Sequence, residues 1–110
     1  MKPIVTLFYP LMFRFLPLDS VCENAHWSAF HHPQPEYPLH ILILPKRGIS
    51  SLVNAPSDEP QMYADLIQLV QVLINDFSLA DQAYRLITNG GQHQSIPIWH
   101  WHLVCESSCK

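Results

Sequence analysis

The spacing of apolar residues along this chain changes several times, and each change marks an element. Residues 20–24 (Ser-Val-Cys-Glu-Asn) and 27–30 (Trp-Ser-Ala-Phe) are short mixed runs on either side of a polar Glu-Asn turn, which predicts two paired strands. Residues 31–38 contain Pro33, Pro35 and Pro38, which fix φ and remove backbone donors, so a stiff loop is predicted there. Residues 39–44 are apolar apart from His40, as a central strand buried on both faces would be, and Pro45-Lys46-Arg47-Gly48 ends the run. Met62, Leu66, Leu69, Val70, Leu73 and Phe77 then recur at spacings of three and four, while Asp65, Gln68, Gln71 and Asn75 take the other side, predicting an amphipathic helix. Ser57 or Asp58 is expected to cap it, with Pro60 in the first turn. Residues 83–88 read as a strand closed by Asn89-Gly90-Gly91, and residues 94–104 as the last strand. Pro97 places the start of that strand at an edge or outside the ladder. The order strand, strand, strand, helix, strand, strand predicts an α+β domain with an antiparallel sheet.

Composition narrows this picture in three ways. The 110 residues suit one domain, and 48% hydrophobic with 14% charged residues is the make-up of a folded chain. So low a charge density suggests that a partner, such as a second copy, covers some apolar surface. The net charge of −3 gives no electrostatic reason to expect nucleic acid as a ligand. The apolar stretch at residues 4–18 is interrupted by Pro10, Arg14 and Pro17 and is too short to span a bilayer. With only Lys2 before it and no small-residue cleavage site, a packed N-terminal helix or strand is expected, not a signal peptide. Cys22, Cys105 and Cys109 form no CxxC pair, so neither a disulfide framework nor a zinc ribbon is indicated, and the cytoplasm is the expected compartment.

Candidate chemistry concentrates in Ile98-Trp99-His100-Trp101-His102-Leu103-Val104. Alternation on a strand places His100 and His102 on one side, with Trp99, Trp101 and Leu103 directed into the core. Paired imidazoles can bind a metal, grip a phosphate, or divide the work of nucleophile and charge stabiliser. A zinc site with Cys105 and Cys109 is disfavoured, since Cys105 falls on the opposite face. His26, His31 and His93 read as exposed loop residues, and His40 as a buried ring satisfied by hydrogen bonds.

The order of these motifs resembles the histidine triad (HIT) superfamily over residues 20–104, with residues 1–19 an apolar lead-in and 105–110 a tail. The resemblance rests on Ala29-Phe30 before the Pro-rich loop, on residues 38–47, on the long helix, and on residues 84–91 running to Gln94-Ser95-Ile96. The family signature, His-x-His-x-His and two apolar residues, appears here with Ile98 in place of its first histidine, and Gly48 stands where many members have another. The resemblance implies a HIT-like fold with about five antiparallel strands, one long helix and a shorter N-terminal element. It implies catalysis by His100, which would attack the α-phosphate of a nucleotide conjugate and form a nucleotidyl–histidine intermediate. His102, Ser95, Gln94 and Asn89 would contact the phosphate and leaving-group region, and His40 would lie beneath the site. Phe30, His32 and Pro33 would line the nucleoside pocket, where His32 stands in place of the carboxylate that usually reaches the ribose hydroxyls. A protonated His102, the Ser95 hydroxyl and backbone N–H groups near Gly90 and Gly91 would meet the phosphate oxygens. A homodimer with joined sheets, a nucleoside phosphoramidate or dinucleoside polyphosphate as substrate, and no metal or other cofactor are further expectations. The alternatives are a non-catalytic nucleotide-binding or scaffold protein, motivated by Ile98, Gly48 and His32, and a metal-binding module using His100 and His102.

Overall fold

A computed structural model describes residues 19–107. The expected N-terminal element and Cys109 lie outside the described residues. Five strands form one antiparallel sheet: β1 (Asp19–Glu23), β2 (Trp27–His31), β3 (Leu39–Pro45), β4 (Tyr84–Thr88) and β5 (Trp101–Cys105). Their spatial order is β1-β2-β3-β5-β4, so the fully buried β3 is central, as its unbroken apolar run predicts. One long helix, α1 (Pro60–Asp76), packs on one face, giving an α+β fold. No helix among the described residues is long and apolar enough to cross a membrane.

The helix face predicted from the three-and-four spacing is the buried one. Met62, Leu66, Leu69, Val70 and Leu73 join Trp27, Ala29, Ile41, Ile43, Trp99 and Leu103 in the main core. Two details differ from the sequence reading. The helix begins after Glu59 with Pro60 in its first turn, and neither Ser57 nor Asp58 caps it. Asp65, assigned by periodicity to the solvent side, is buried because the β1–β2 turn folds over it. The Asp65 carboxylate meets His26 Nδ1 at 2.6 Å and accepts from Gln61, while the Asn24 amide donates to the Asp65 carbonyl. His26 is therefore a clamp between turn and helix, not an idle loop residue. His31 lies in β2 with its ring edge-on to Phe77, not in a loop.

The opposite face of the sheet carries a second, smaller apolar cluster of Phe30, Leu42, Leu44 and Ile98, with His40 and His102 beside it. Cys22 is a free thiol and Cys105 is disulfide-bonded, a state that the spacing of the cysteines does not suggest.

Candidate functional site

The last strand is shorter than the sequence predicts. Its ladder starts at Trp101, since the preceding backbone is committed elsewhere: the Trp99 N–H donates to the Ile49 carbonyl (2.7 Å), and the His100 carbonyl accepts from Thr88 Oγ1 (2.7 Å). The alternation of sides nevertheless persists. Trp99, Trp101 and Leu103 pack toward α1, while Ile98 enters the smaller cluster and the rings of His100 and His102 meet edge to face, centroids 4.8 Å apart.

Hydrogen bonds fix which nitrogen of each ring carries its proton. His100 is buried, and its Nδ1 lies 2.6 Å from the Ile98 carbonyl, which can only accept. In the neutral ring the proton is therefore on Nδ1 and the lone pair on Nε2. A second chain begins at the Glu36 backbone N–H, which donates to His40 Nδ1 (3.1 Å). His40 consequently carries its proton on Nε2 and donates it to His102 Nδ1 (2.9 Å). His102 in turn keeps its proton on Nε2. The pair thus presents one lone pair, on His100, beside one N–H donor, on His102. Sequence spacing finds the rings, but the Ile98 carbonyl and the Glu36 N–H are backbone groups and leave no mark in a pattern of side chains.

His102 is neutral near neutrality, which corrects the expected protonated ring. Burial, followed by the nearby His100, His40 and His32 rings, pulls its pKa from 6.5 down to about 4. Burial also lowers the pKa of His40 and of His32. An imidazole held neutral in the fold charges more readily once unfolded, so the unfolded chain binds more protons between 6.5 and about 4. Stability should be full above that window and fall as the pH drops through it. Thermal melts from about pH 7 to about pH 4.5 should show this loss, with a shallower slope for His102→Phe. An unchanged slope in the variant would remove His102 as the cause.

The remaining candidates divide among separate surroundings. Asn89 shares a cavity of about 200 Å³ with His40, His102, Glu36, Tyr37, Ile87 and Val104. Gln94 and Ser95 instead line a larger cavity of about 520 Å³ with residues 50–53 and the turn through Gly90 and Gly91. The Gln94 amide is already spent on the carbonyls of Ser50 (2.7 Å) and Ile96 (2.9 Å), so it shapes that loop. Gly91 sits at φ +58°, a left-handed conformation that favours glycine in this turn. Phe30 is buried in the smaller cluster, Pro33 is exposed, and the half-buried His32 stacks on His40 with centroids 4.2 Å apart.

His32, His40 and His102 bring one nitrogen each within 4.8 Å of one another, a grouping that could in principle hold a metal ion. Their donors do not suit it. Nδ1 of His32 and of His40 already accepts a backbone N–H, and His102 Nδ1 accepts from His40. Each of these lone pairs is occupied, and metal ligation needs them free. Cys105, disulfide-bonded and on the α1 side, cannot assist.

Ile98 is 2% exposed among Phe30, Leu42 and Leu44. An imidazole there would be a polar group in an apolar pocket, so Ile98→His should destabilise by about 1–3 kcal/mol. A denaturant midpoint unchanged by the substitution would contradict this.

The sequence pattern of the HIT domain matches residues 16–108. A HIT-like protein of Chlamydia pneumoniae is 30% identical over 99 residues, covering 90% of this chain and 89% of its own. A purine nucleoside phosphoramidase of Escherichia coli (strain K12) is 28% identical over 98 residues, covering 89% of this chain and 82% of its own. Among solved structures, a HIT family hydrolase from Clostridium thermocellum superposes with a TM-score of 0.79 at 28% identity, covering 93% and 90% of the two chains.

Proposed function

We propose, from the premise that this chain belongs to the HIT domain family, that it hydrolyses or transfers the nucleotidyl group of nucleotide conjugates through His100. The observation that carries this reading is the 2.6 Å hydrogen bond from His100 Nδ1 to the Ile98 carbonyl. In the neutral ring it places the lone pair on Nε2, where it can attack without a separate base.

In the proposed reaction His100 Nε2 attacks the α-phosphorus, forming a P–N bond as the bond to the leaving amine or phosphate breaks. Water then attacks the nucleotidyl–His100 intermediate and releases the nucleoside monophosphate and the free imidazole. His102, held by His40, donates its Nε2–H to a phosphate oxygen, and Asn89 lies on the same side of the sheet. His40 acts through His102 as a positioning residue. The similarity to a purine nucleoside phosphoramidase supports a phosphoramidate as the first substrate to try. A homodimer belongs to the same proposal, supported by the position of β4 at one edge of the sheet, where Tyr84 is 38% exposed.

A second reading, a nucleotide-binding protein without turnover, draws on the apolar packing of Ile98 where the family signature has a histidine. Incubation of the purified protein with an adenosine phosphoramidate separates the two. Release of adenosine monophosphate is expected. Tight binding of the monophosphate with no turnover of any conjugate in a panel would transfer the conclusion to the second reading.

A further inference from the structure

His100 lies one residue before β5, outside the ladder, so its main chain needs another anchor. The last pair of the β4–β5 ladder is Thr88 with Trp101. Thr88 extends that ladder by one bond through its side chain, since Oγ1–H donates to the His100 carbonyl at 2.7 Å. Further back, the Trp99 N–H is held by the Ile49 carbonyl (2.7 Å), and the His100 ring returns to the Ile98 carbonyl (2.6 Å). Segment 98–100 is thus fixed by three hydrogen bonds. Only the Thr88 bond depends on a side chain other than that of His100 itself.

The turn that follows Thr88 gives little support of its own. Residues 90–93 are exposed, and a Cβ added at Gly90 or Gly91 would meet nothing within 4 Å. Its bonds from the His93 N–H to the Gly90 carbonyl and from the Gln94 N–H to the Gly91 carbonyl are local. A half-buried threonine at the end of the edge strand β4 needs no hydroxyl for the strand, because β-branching suits a strand equally well in valine. What the hydroxyl adds is its acceptor. That acceptor belongs to the residue carrying the attacking nitrogen.

We propose that Thr88 is a positioning residue for nucleotidyl transfer, its hydroxyl holding the His100 main chain so that the ring stays seated on the Ile98 carbonyl. This rests on the nucleotide-conjugate reading and adds the side chain that orients its nucleophile. Without the hydroxyl, the carbonyl of His100, a residue only 4% exposed, loses its donor, and the end of the segment is free to turn. The ring then leaves the Ile98 carbonyl for part of the time, and the proton of the neutral imidazole divides between Nδ1 and Nε2. A ring protonated on Nε2 has no lone pair there with which to attack. Even where the proton stays in place, a displacement of about 1 Å can cost on the order of a hundredfold in rate.

Thr88→Val, which keeps the shape and removes the hydroxyl, and Thr88→Ser, which keeps the hydroxyl, test this in the whole chain. With an adenosine phosphoramidate, kcat should fall about tenfold or more in Thr88→Val, while KM and the affinity for adenosine monophosphate stay within about twofold of the wild type. Thr88→Ser should retain most of the rate, and Thr88→Ala should match Thr88→Val, which covers a valine variant that does not fold. Proton–nitrogen correlation spectra of the imidazoles at about pH 8 should place the His100 proton on Nδ1 in the wild type and Thr88→Ser. In Thr88→Val a share of it should move to Nε2. A wild-type kcat in Thr88→Val, a loss that Thr88→Ser shares, or a loss confined to KM would overturn the inference and leave the His100 reading in place. If the wild type turns over no conjugate, the His100 reading falls and the spectra decide alone. His100 signals unchanged in Thr88→Val would then overturn the positioning role.

Discussion

Replacing His100 with alanine is expected to lower turnover of an adenosine phosphoramidate by at least about a thousandfold, because the variant lacks the group that forms the covalent intermediate. The structure makes this a clean substitution chemically. No other ring in the cluster offers an unoccupied lone pair: His32 and His40 each accept a backbone N–H, and His102 accepts from His40. A neighbour therefore cannot take over the attack without breaking its own hydrogen bond. His102→Ala should cost less, since it removes a donor to the phosphate and leaves the nucleophile. Steady-state rates, with circular dichroism to confirm folding, check both. Equal rates in wild type and His100→Ala would sink the catalytic assignment.

The largest effect on stability is expected at Trp27, where substitution by alanine should cost about 3–5 kcal/mol. Trp27 is fully buried, donates its indole N–H to the Met62 carbonyl at 2.7 Å, and meets Trp99 edge-on with ring centroids 5.5 Å apart. It joins β2 to the start of α1, and truncation would leave both a cavity and a carbonyl without this donor. A loss of that size is a large share of the roughly 5–15 kcal/mol that holds a domain together. Trp99 supplies the contrast. Its side chain is equally buried, but its indole N–H has no partner among the described residues. Trp99→Phe removes an unsatisfied donor along with some volume, so its cost should stay below about 1.5 kcal/mol. Urea denaturation of the two variants checks the order, and a Trp99→Phe loss matching that of Trp27→Ala would contradict it.

Most of the architecture is legible along the chain because it rests on local periodicity. The unbroken run of β3 marks the central strand, and the spacing of Met62, Leu66, Leu69 and Leu73 marks the face of α1 that packs on the sheet. The departures occur where distant segments meet. Asp65 looks solvent-facing by its place on the helix, yet the β1–β2 turn buries it against His26. The ladder of β5 is shorter than its apolar run because residues 49 and 88 claim the backbone of Trp99 and His100.

The sequence by itself determines the α+β order of elements, the placement of His100 and His102 on one side of their segment, and the loss of the first signature histidine at Ile98. Those properties follow from side-chain identity and alternation, which are local. The tertiary structure alone decides the proton positions, since they depend on the carbonyl of Ile98 and the N–H of Glu36 arriving at particular ring nitrogens. It also separates Gln94 and Ser95 from the cavity that Asn89 shares with His102, and it stacks His32 on His40. Backbone donors and acceptors are the same at nearly every residue, so only folding selects which of them reaches an imidazole.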